Sequence, residues 1–225
     1  MTNDLSALTG RDFAAVLFDM DGTLIDSTPA VGRCWARLAQ EEGIDPARFE
    51  GRHGIPARTT VEALLPPDRW DAATARLTQL EIDDTDGVVL LPGAAEALAA
   101  LAPQGRSAIA TSCTRDLARA RLRASGLVAP AVVVTVDDVE RGKPHPDPFV
   151  EAARRLGADP ADCLVVEDAP GGLRAGRAAG CATLAVVTTS TAQELSVDDL
   201  ADAVVGDLSA VRFAVVDGRV RVSPA

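Results

Sequence analysis

From Pro92 to Val187 the chain alternates short apolar runs with helical stretches, and this alternation restricts the fold more than any other feature. Gly93 to Leu101 reads as helix, Ser107 to Ala110 as strand, Arg115 to Ala124 as helix and Ala131 to Val136 as strand. The pattern continues with helix at Pro146 to Leu156, strand at Cys163 to Val166, helix at Pro170 to Ala179 and strand at Ala182 to Val187. Ala14 to Phe18, near the N-terminus, reads as one more buried strand. Repeated strand–helix alternation implies an α/β fold, a Rossmann-like parallel sheet with helices on both faces. Near the end, Phe213 to Val216 and Arg219 to Val222 flank Asp217-Gly218, a hairpin signal.

The segment from Asp26 to Leu90 interrupts this order with helical pattern only. One helix runs from about Pro29 to Glu42, with Ser27 or Thr28 available as its cap and Pro29 suited to its first turn. Further on, Val61, Leu64 and Leu65 share a face, followed by Trp70, Leu77 and Leu80. The simplest account is a helical cap domain inserted after the first strand, joined near Leu24–Thr28 and Val88–Pro92. The expected division is a core of residues 1–25 and 91–225 and a cap of residues 26–90. The 225 residues suffice for one ordinary domain plus such an insertion.

Charge and cysteine content bound the partners. The net charge of −11 sets the surface against nucleic acid and anionic membranes, and no stretch approaches the ~18 apolar residues of a membrane span. Cys34, Cys113, Cys163 and Cys181 form no CxxC pair, and His53 and His145 do not lie beside them. They read as reduced thiols rather than a zinc site or disulfide framework, and the polar N-terminus lacks a signal-peptide core. The expectation is a cytoplasmic protein, a monomer or weak dimer, with neither nucleic acid nor membrane as partner. Because the surface is acidic, any phosphate site must create its own positive field.

Ligands of open parallel sheets bind at the carboxyl ends of the strands, and four strand ends here carry suitable groups. Asp19-Met20-Asp21-Gly22-Thr23 follows the first strand directly. Asp19 can attack phosphorus as a nucleophile, while Asp21 can protonate a leaving alkoxide and then take a proton from water. Thr111-Ser112 ends another strand, where hydroxyls and backbone N–H groups can hold phosphate oxygens; taken alone, such a pair at a strand end is more often a helix cap. Lys143, in Gly142-Lys143-Pro144-His145-Pro146, offers a compact positive charge from a stiff turn, and His145 reads as part of that turn. Glu167-Asp168 ends a fourth strand and suggests a hard-cation site. Mg²⁺ would take Asp19, Asp168 and the backbone carbonyl of Asp21, with Glu167 acting through water.

These groups answer one electrostatic difficulty, since a carboxylate and a phosphate dianion repel. Two unit charges 4 Å apart interact by ~4 kcal/mol at an effective dielectric near 20, so a metal and Lys143 outweigh any single hydroxyl.

The order of DxDGT, Thr/Ser, Lys and Glu-Asp, with a helical insertion after the first cluster, resembles the haloacid dehalogenase superfamily of phosphohydrolases over nearly the whole chain. Phe18-Asp19-Met20-Asp21-Gly22-Thr23-Leu24, Ala110-Thr111-Ser112, Gly142 to Pro146 and Val166-Glu167-Asp168-Ala169-Pro170 look like its bacterial sugar phosphatases and yeast glycerol-phosphate and deoxyglucose-phosphate phosphatases. Thr111-Ser112-Cys113-Thr114-Arg115 is similar to their Thr-Ser-Gly-Thr-Arg loop, with Cys113 in place of the glycine. The resemblance implies that Arg115 joins Thr111 and Ser112 in binding phosphate. It also implies that two cap residues bind substrate: His53, and Arg58 on its distal part. His53-Gly54 and Glu81 match positions of these relatives too, although a solvated cap surface accounts for such residues equally well.

The activity implied is Mg²⁺-dependent hydrolysis of a small sugar or polyol phosphate through an aspartyl-phosphate. A phosphosugar mutase of the beta-phosphoglucomutase kind would share all four clusters, but the cap offers no clear second basic cradle beyond Arg52 and Arg58. A dehalogenase needs neither a metal nor an acid at position 21. A phosphonatase needs a cap lysine, and residues 24 to 92 contain none. A non-catalytic sugar-phosphate sensor would not need Asp19, Asp21, Lys143 and Asp168 together.

Overall fold

A computed structural model describes residues 4–45, 48 and 57–225. In chain order the elements are β1 (Asp12–Phe13), β2 (Ala15–Phe18), β3 (Ile25–Asp26), α1 (Thr28–Glu42), α2 (Ala57–Leu64), α3 (Trp70–Asp83), β4 (Val89–Leu90) and α4 (Ala94–Leu101). There follow β5 (Ser107–Ala110), α5 (Arg115–Ser125), β6 (Val132–Val134), α6 (Asp147–Leu156), β7 (Cys163–Glu167), α7 (Pro170–Ala178) and β8 (Ala182–Val186). The last are α8 (Ala192–Leu195), β9 (Ala203–Val205), β10 (Val211–Val216) and β11 (Arg219–Pro224).

Six strands form a parallel sheet in the order β6-β5-β2-β7-β8-β9. β2 is the first of these six in the chain and lies in the middle, so later strands add on either side of it. A crevice therefore opens where β2 ends, the place where such sheets bind ligands. Alternate residues of the strands serve two cores. Val16, Phe18, Ile109 and Val166 face one side with Leu98, Leu101 and Leu117 of α4 and α5. Leu17, Ala108, Ala110 and Val165 face the other, against Phe149 and Ala152 of α6 and Ala175 of α7. Burial on both faces explains why these strands are apolar throughout.

The hairpin β10–β11 covers part of the first core, with the Phe213 ring edge-on to Phe18 at 5.8 Å. Its turn holds Asp217 at φ 51° and Gly218 at φ 74°, two consecutive left-handed residues of the kind a two-residue hairpin requires. Strands β1, β9 and the antiparallel pair β3–β4 are additions to the sequence expectation. β3–β4 pairs Ile25 with Leu90 and Asp26 with Val89, at the two places where the helical insertion leaves and rejoins the sheet.

Between them, α1, α2 and α3 pack around Cys34, Leu38, Val61, Ala73 and Leu77, a cluster separate from both sheet cores. Arg33 of α1 spans to Asp84 at 2.6 Å and to the Asp86 carbonyl at 2.7 Å, fixing the start of α1 against the end of α3. No helix among the described residues is long and apolar enough to cross a membrane.

Candidate active site

β2 ends at Phe18, and Asp19 follows it at the mouth of the crevice. The Asp19 backbone N–H still donates to the Val166 carbonyl at 2.9 Å, so the strand edge fixes its position. Two residues on, Gly22 takes φ +87°, and a Cβ there would lie 2.3 Å from Asp168 Oδ2. Only glycine permits both the turn and this approach.

Lys143 is the only lysine in the chain, and it is buried. Its Nζ donates to Asp19 Oδ1 at 2.5 Å and to Glu167 Oε1 at 2.8 Å, and sits 5.0 Å from the Phe149 ring centre. The turn before α6 holds it there, with the His145 N–H donating to the Gly142 carbonyl at 3.0 Å while the His145 side chain is exposed. Glu167 is anchored in turn: Oε2 accepts from the backbone N–H groups of Asp168 and Ala169, each at 2.9 Å. Its carboxylate is thereby committed to Lys143 and the loop leading into α7.

Asp168 completes the cluster. Oδ1 accepts from the Thr23 hydroxyl at 3.2 Å and Oδ2 from the Thr189 hydroxyl, while the Thr188 hydroxyl donates to the Gly22 carbonyl. The chain's sequence gave no role to Thr188 or Thr189. They follow β8, so the rule that pointed to four strand ends applies to a fifth.

Asp19, Glu167 and Asp168 offer ligand oxygens that all lie within 4.8 Å of one another. Three carboxylates face one ammonium. Burial raises the Asp19 carboxyl to about 7 against the pull of Lys143, with Glu167 and Asp21 adding to the rise. Burial, then Glu167 and Asp19, push Asp168 well above the usual carboxylate range. Carboxylates so raised are short of positive charge. The donors are hard oxygens with no thiolate or imidazole among them, which suits Mg²⁺. Asp19 and Asp168 fit such an ion; Glu167 is the least free of the three to ligate it.

Asp21 stands apart from this cluster. Oδ1 accepts from the Ser27 hydroxyl at 2.7 Å and forms an ion pair with Arg121 Nη1 at 2.9 Å; Oδ2 accepts from the Cys113 thiol at 3.1 Å. Ser27 does occupy the cap position of α1, but its hydroxyl makes no cap hydrogen bond and is given to Asp21. Arg121, on α5, is buried and also meets Glu81 Oε1 of α3 at 3.4 Å and Cys113 Sγ at 3.2 Å. Burial works against its charge, yet Cys113, Asp21 and Glu81 together raise its pKa. No motif pointed to Arg121.

The remaining expected residues divide. Thr111 is buried at the end of β5, its hydroxyl accepting from the Cys113 N–H at 3.1 Å, and Ser112 beside it is exposed. The following helix starts at Arg115 with Thr114 as its cap, which turns its N-terminus toward this loop. Arg115 itself departs from the phosphate-binding expectation. Its backbone N–H donates to Asp137 at 2.8 Å and its guanidinium to Asp138 at 2.9 Å, so the first turn of α5 carries it to an acidic neighbour on the outside. Arg58 likewise lies between Glu62 at 2.6 Å and Asp71 at 2.5 Å, over the Trp70 ring, on the surface of the inserted helices. His53, Gly54 and Arg52 fall outside the described residues.

Comparison with known proteins bears on the family and the fold. Residues 13–180 match the model of the haloacid dehalogenase-like hydrolase family. The chain is 41% identical over 189 residues to hexitol phosphatase A of Escherichia coli, covering 82% of this chain and 88% of that one. It is 36% identical over 191 residues to glycerol-1-phosphate phosphohydrolase 2 of Saccharomyces cerevisiae, covering 78% and 75% of the two chains. A hydrolase from Pseudomonas syringae superposes with a TM-score of 0.76 at 29% identity, over 87% of this chain and 94% of that one.

Proposed function

The chain belongs to the haloacid dehalogenase-like hydrolase family, and on that premise we propose that it is a Mg²⁺-dependent phosphatase hydrolysing a small sugar or polyol phosphate through an aspartyl-phosphate. The observation that carries this reading is the meeting of Asp19 with Lys143 at 2.5 Å, at the end of the central strand, beside buried Asp168. A buried carboxylate held by an ammonium and next to a cation site is placed to attack a phosphate that the same charges attract.

In the first step an Asp19 carboxylate oxygen bonds to phosphorus as the bond from phosphorus to the ester oxygen breaks. Asp21, carrying a proton, delivers it to the departing alkoxide, which leaves as the alcohol. In the second step Asp21, now a carboxylate, takes a proton from water. The water oxygen bonds to phosphorus and the Asp19 carboxylate departs. Lys143 offsets the phosphoryl charge throughout, and Glu167 holds Lys143 in place. When bound by Asp19, Asp168 and the Asp21 carbonyl, Mg²⁺ supplies further positive charge against the phosphoryl oxygens. Thr111, Ser112 and the N-terminus of α5 face the phosphate from β5. The segment of residues 26–90 acts as the cap that excludes water and reads the alcohol.

The substrate class rests on the relatives, which are named for hexitol and glycerol phosphates. Four buried free cysteines fit a reducing compartment such as the cytoplasm. A mutase needs a second phosphate cradle. Arg33, Arg58, Arg69 and Arg76, among the described insertion residues, are each bound to carboxylates, which favours hydrolysis.

A phosphate-release screen over small phosphomonoesters with Mg²⁺ tests the proposal. Polyol and sugar phosphates should be turned over, Asp19→Asn should abolish turnover, and Asp21→Asn should let the acyl-phosphate form slowly. Normal turnover by Asp19→Asn, or undiminished rates in excess chelator, would overturn it.

A further inference from the structure

Arg121 is charged at a position where the periodicity of α5 asks for an apolar side chain. Leu117, Ala118 and Ala120 of the same helix are buried, and Arg121 is 5% exposed among them. A guanidinium is expensive to bury unless several acceptors meet it. Here one cation is shared by two carboxylates from different parts of the chain. Asp21, at 2.9 Å, belongs to the loop after β2; Glu81, at 3.4 Å, belongs to α3 in the inserted segment. Glu81 is itself 8% exposed, although it is a carboxylate on a helix with open faces. Its burial follows from α3 packing against α5. The other described partners of the Asp21 carboxylate, the Ser27 hydroxyl and the Cys113 thiol, are neutral donors.

We propose that Arg121 is a positioning residue for Asp21, and that Glu81 makes this positioning depend on α3 being seated against α5. The inference rests on the phosphatase reading above, in which Asp21 protonates the leaving alkoxide. A planar guanidinium can hold two carboxyl groups along separate edges, so it fixes the direction of Asp21 through Oδ1. With α3 lifted, Arg121 keeps Asp21 but loses the second anchor that stops its side chain from swinging. Proton delivery is thereby best aimed when the inserted helices are docked over the crevice. An ammonium at position 121 would hold one carboxylate and leave the other.

The test uses leaving groups that differ in their need for a proton. p-Nitrophenyl phosphate releases a phenolate that is stable unprotonated. Glycerol 1-phosphate and sorbitol 6-phosphate release alkoxides that require protonation as the ester bond breaks. The parameter kcat/KM covers steps only up to alcohol release, so it excludes the later attack by water. The alkyl-to-aryl ratio of kcat/KM therefore reads proton delivery by Asp21. Glu81→Gln should lower this ratio about fivefold and Arg121→Lys about tenfold or more, part of the roughly hundredfold or larger contribution of a general acid. Combining them should be little worse than Arg121→Lys alone, because both act through one contact chain. Glu81→Gln preserves shape and carries the test if the Arg121 variant does not fold. An unchanged ratio, with both substrates slowed alike or neither slowed, would show a merely structural role and overturn the inference. A wild type that hydrolyses the aryl ester but no alkyl ester would overturn the polyol phosphatase reading, and this inference with it.

Discussion

A Cβ placed on Gly172 would lie 1.6 Å from Glu167 Oε1, the oxygen that accepts from Lys143. Gly172 sits inside α7, where alanine would ordinarily favour the helix by about 1 kcal/mol. The steric conflict opposes this. Glu167 cannot yield without leaving Lys143 and two backbone N–H groups, and disturbing a buried ion pair costs about 3 kcal/mol or more. Gly172→Ala should therefore destabilise the protein by about 2 kcal/mol net and cut phosphatase activity steeply. Urea unfolding midpoints give the sign; a stabilised, fully active Gly172→Ala would show that Glu167 does not need its present place.

The burial of the site can be read by covalent labelling. All four cysteines are buried, and burial raises Cys34 to about 11 and Cys163 and Cys181 to about 12. Burial, then Asp21, push Cys113 well above the ordinary thiol value. A thiol reagent at pH 8 should find almost no reactive group in the folded protein and four after denaturation. An amine reagent should behave likewise at Lys143, labelling terminal amine only until the chain unfolds and then gaining one label. Fast native reaction of one thiol, mapped to Cys113, would mean that solvent reaches the Asp21–Arg121 contact.

The parallel sheet was legible because each central strand is a short apolar run bracketed by helical periodicity. Ser107–Ala110 has the same bounds in sequence and structure, and Cys163–Glu167 extends its expected run by one residue. Strand β9 was not legible, since three residues carry no period, and the two-residue strands β3 and β4 carry still less. Arg121 escaped because a charged residue is ordinarily counted toward the outer face of a helix. Its signal is positional: it lies four residues after Leu117 and three after Ala118, on the stripe that faces inward. Arg115 misled in the opposite direction. It adjoins the Thr-Ser loop in sequence, but its place at the start of α5 turns it toward Asp138.

Acid should loosen α6 before the sheet. Hydrogen bonds from Arg154, then Arg155, hold the Glu151 carboxyl down to about 2 from an ordinary 4.5. A carboxylate with a depressed folded value contributes stability that is present above the unfolded value and lost as pH falls toward the folded one. The window is therefore about pH 4.5 down to about 2. These pairs lie at the surface, so the contribution is about 0.5–1 kcal/mol and shrinks in salt. Hydrogen exchange of the α6 amides at pH 3 and pH 6 should show the change, and Glu151→Gln should remove most of it. Equal protection of α6 at both pH values in the native protein would contradict the assignment.

The charges around Asp168 predict that a divalent cation raises the stability of the fold. Asp19, Glu167 and Asp168 place three carboxylates against the single ammonium of Lys143, all of them buried. A divalent cation that binds only the folded chain stabilises it by mass action, by about 2.7 kcal/mol at a hundredfold excess over its Kd. For a chain of this size that is roughly a 5–10 °C rise in Tm. Asp168→Asn removes one of the repelling charges and keeps the side-chain shape beside Thr23 and Thr189. The variant should thus lose the Mg²⁺ response yet, in chelator, unfold no earlier than the wild type, and gain about 1 kcal/mol if the repulsion dominates. Thermal unfolding of both proteins with Mg²⁺ and with chelator provides the four values needed. A Mg²⁺ response that survives Asp168→Asn would move the cation away from this carboxylate.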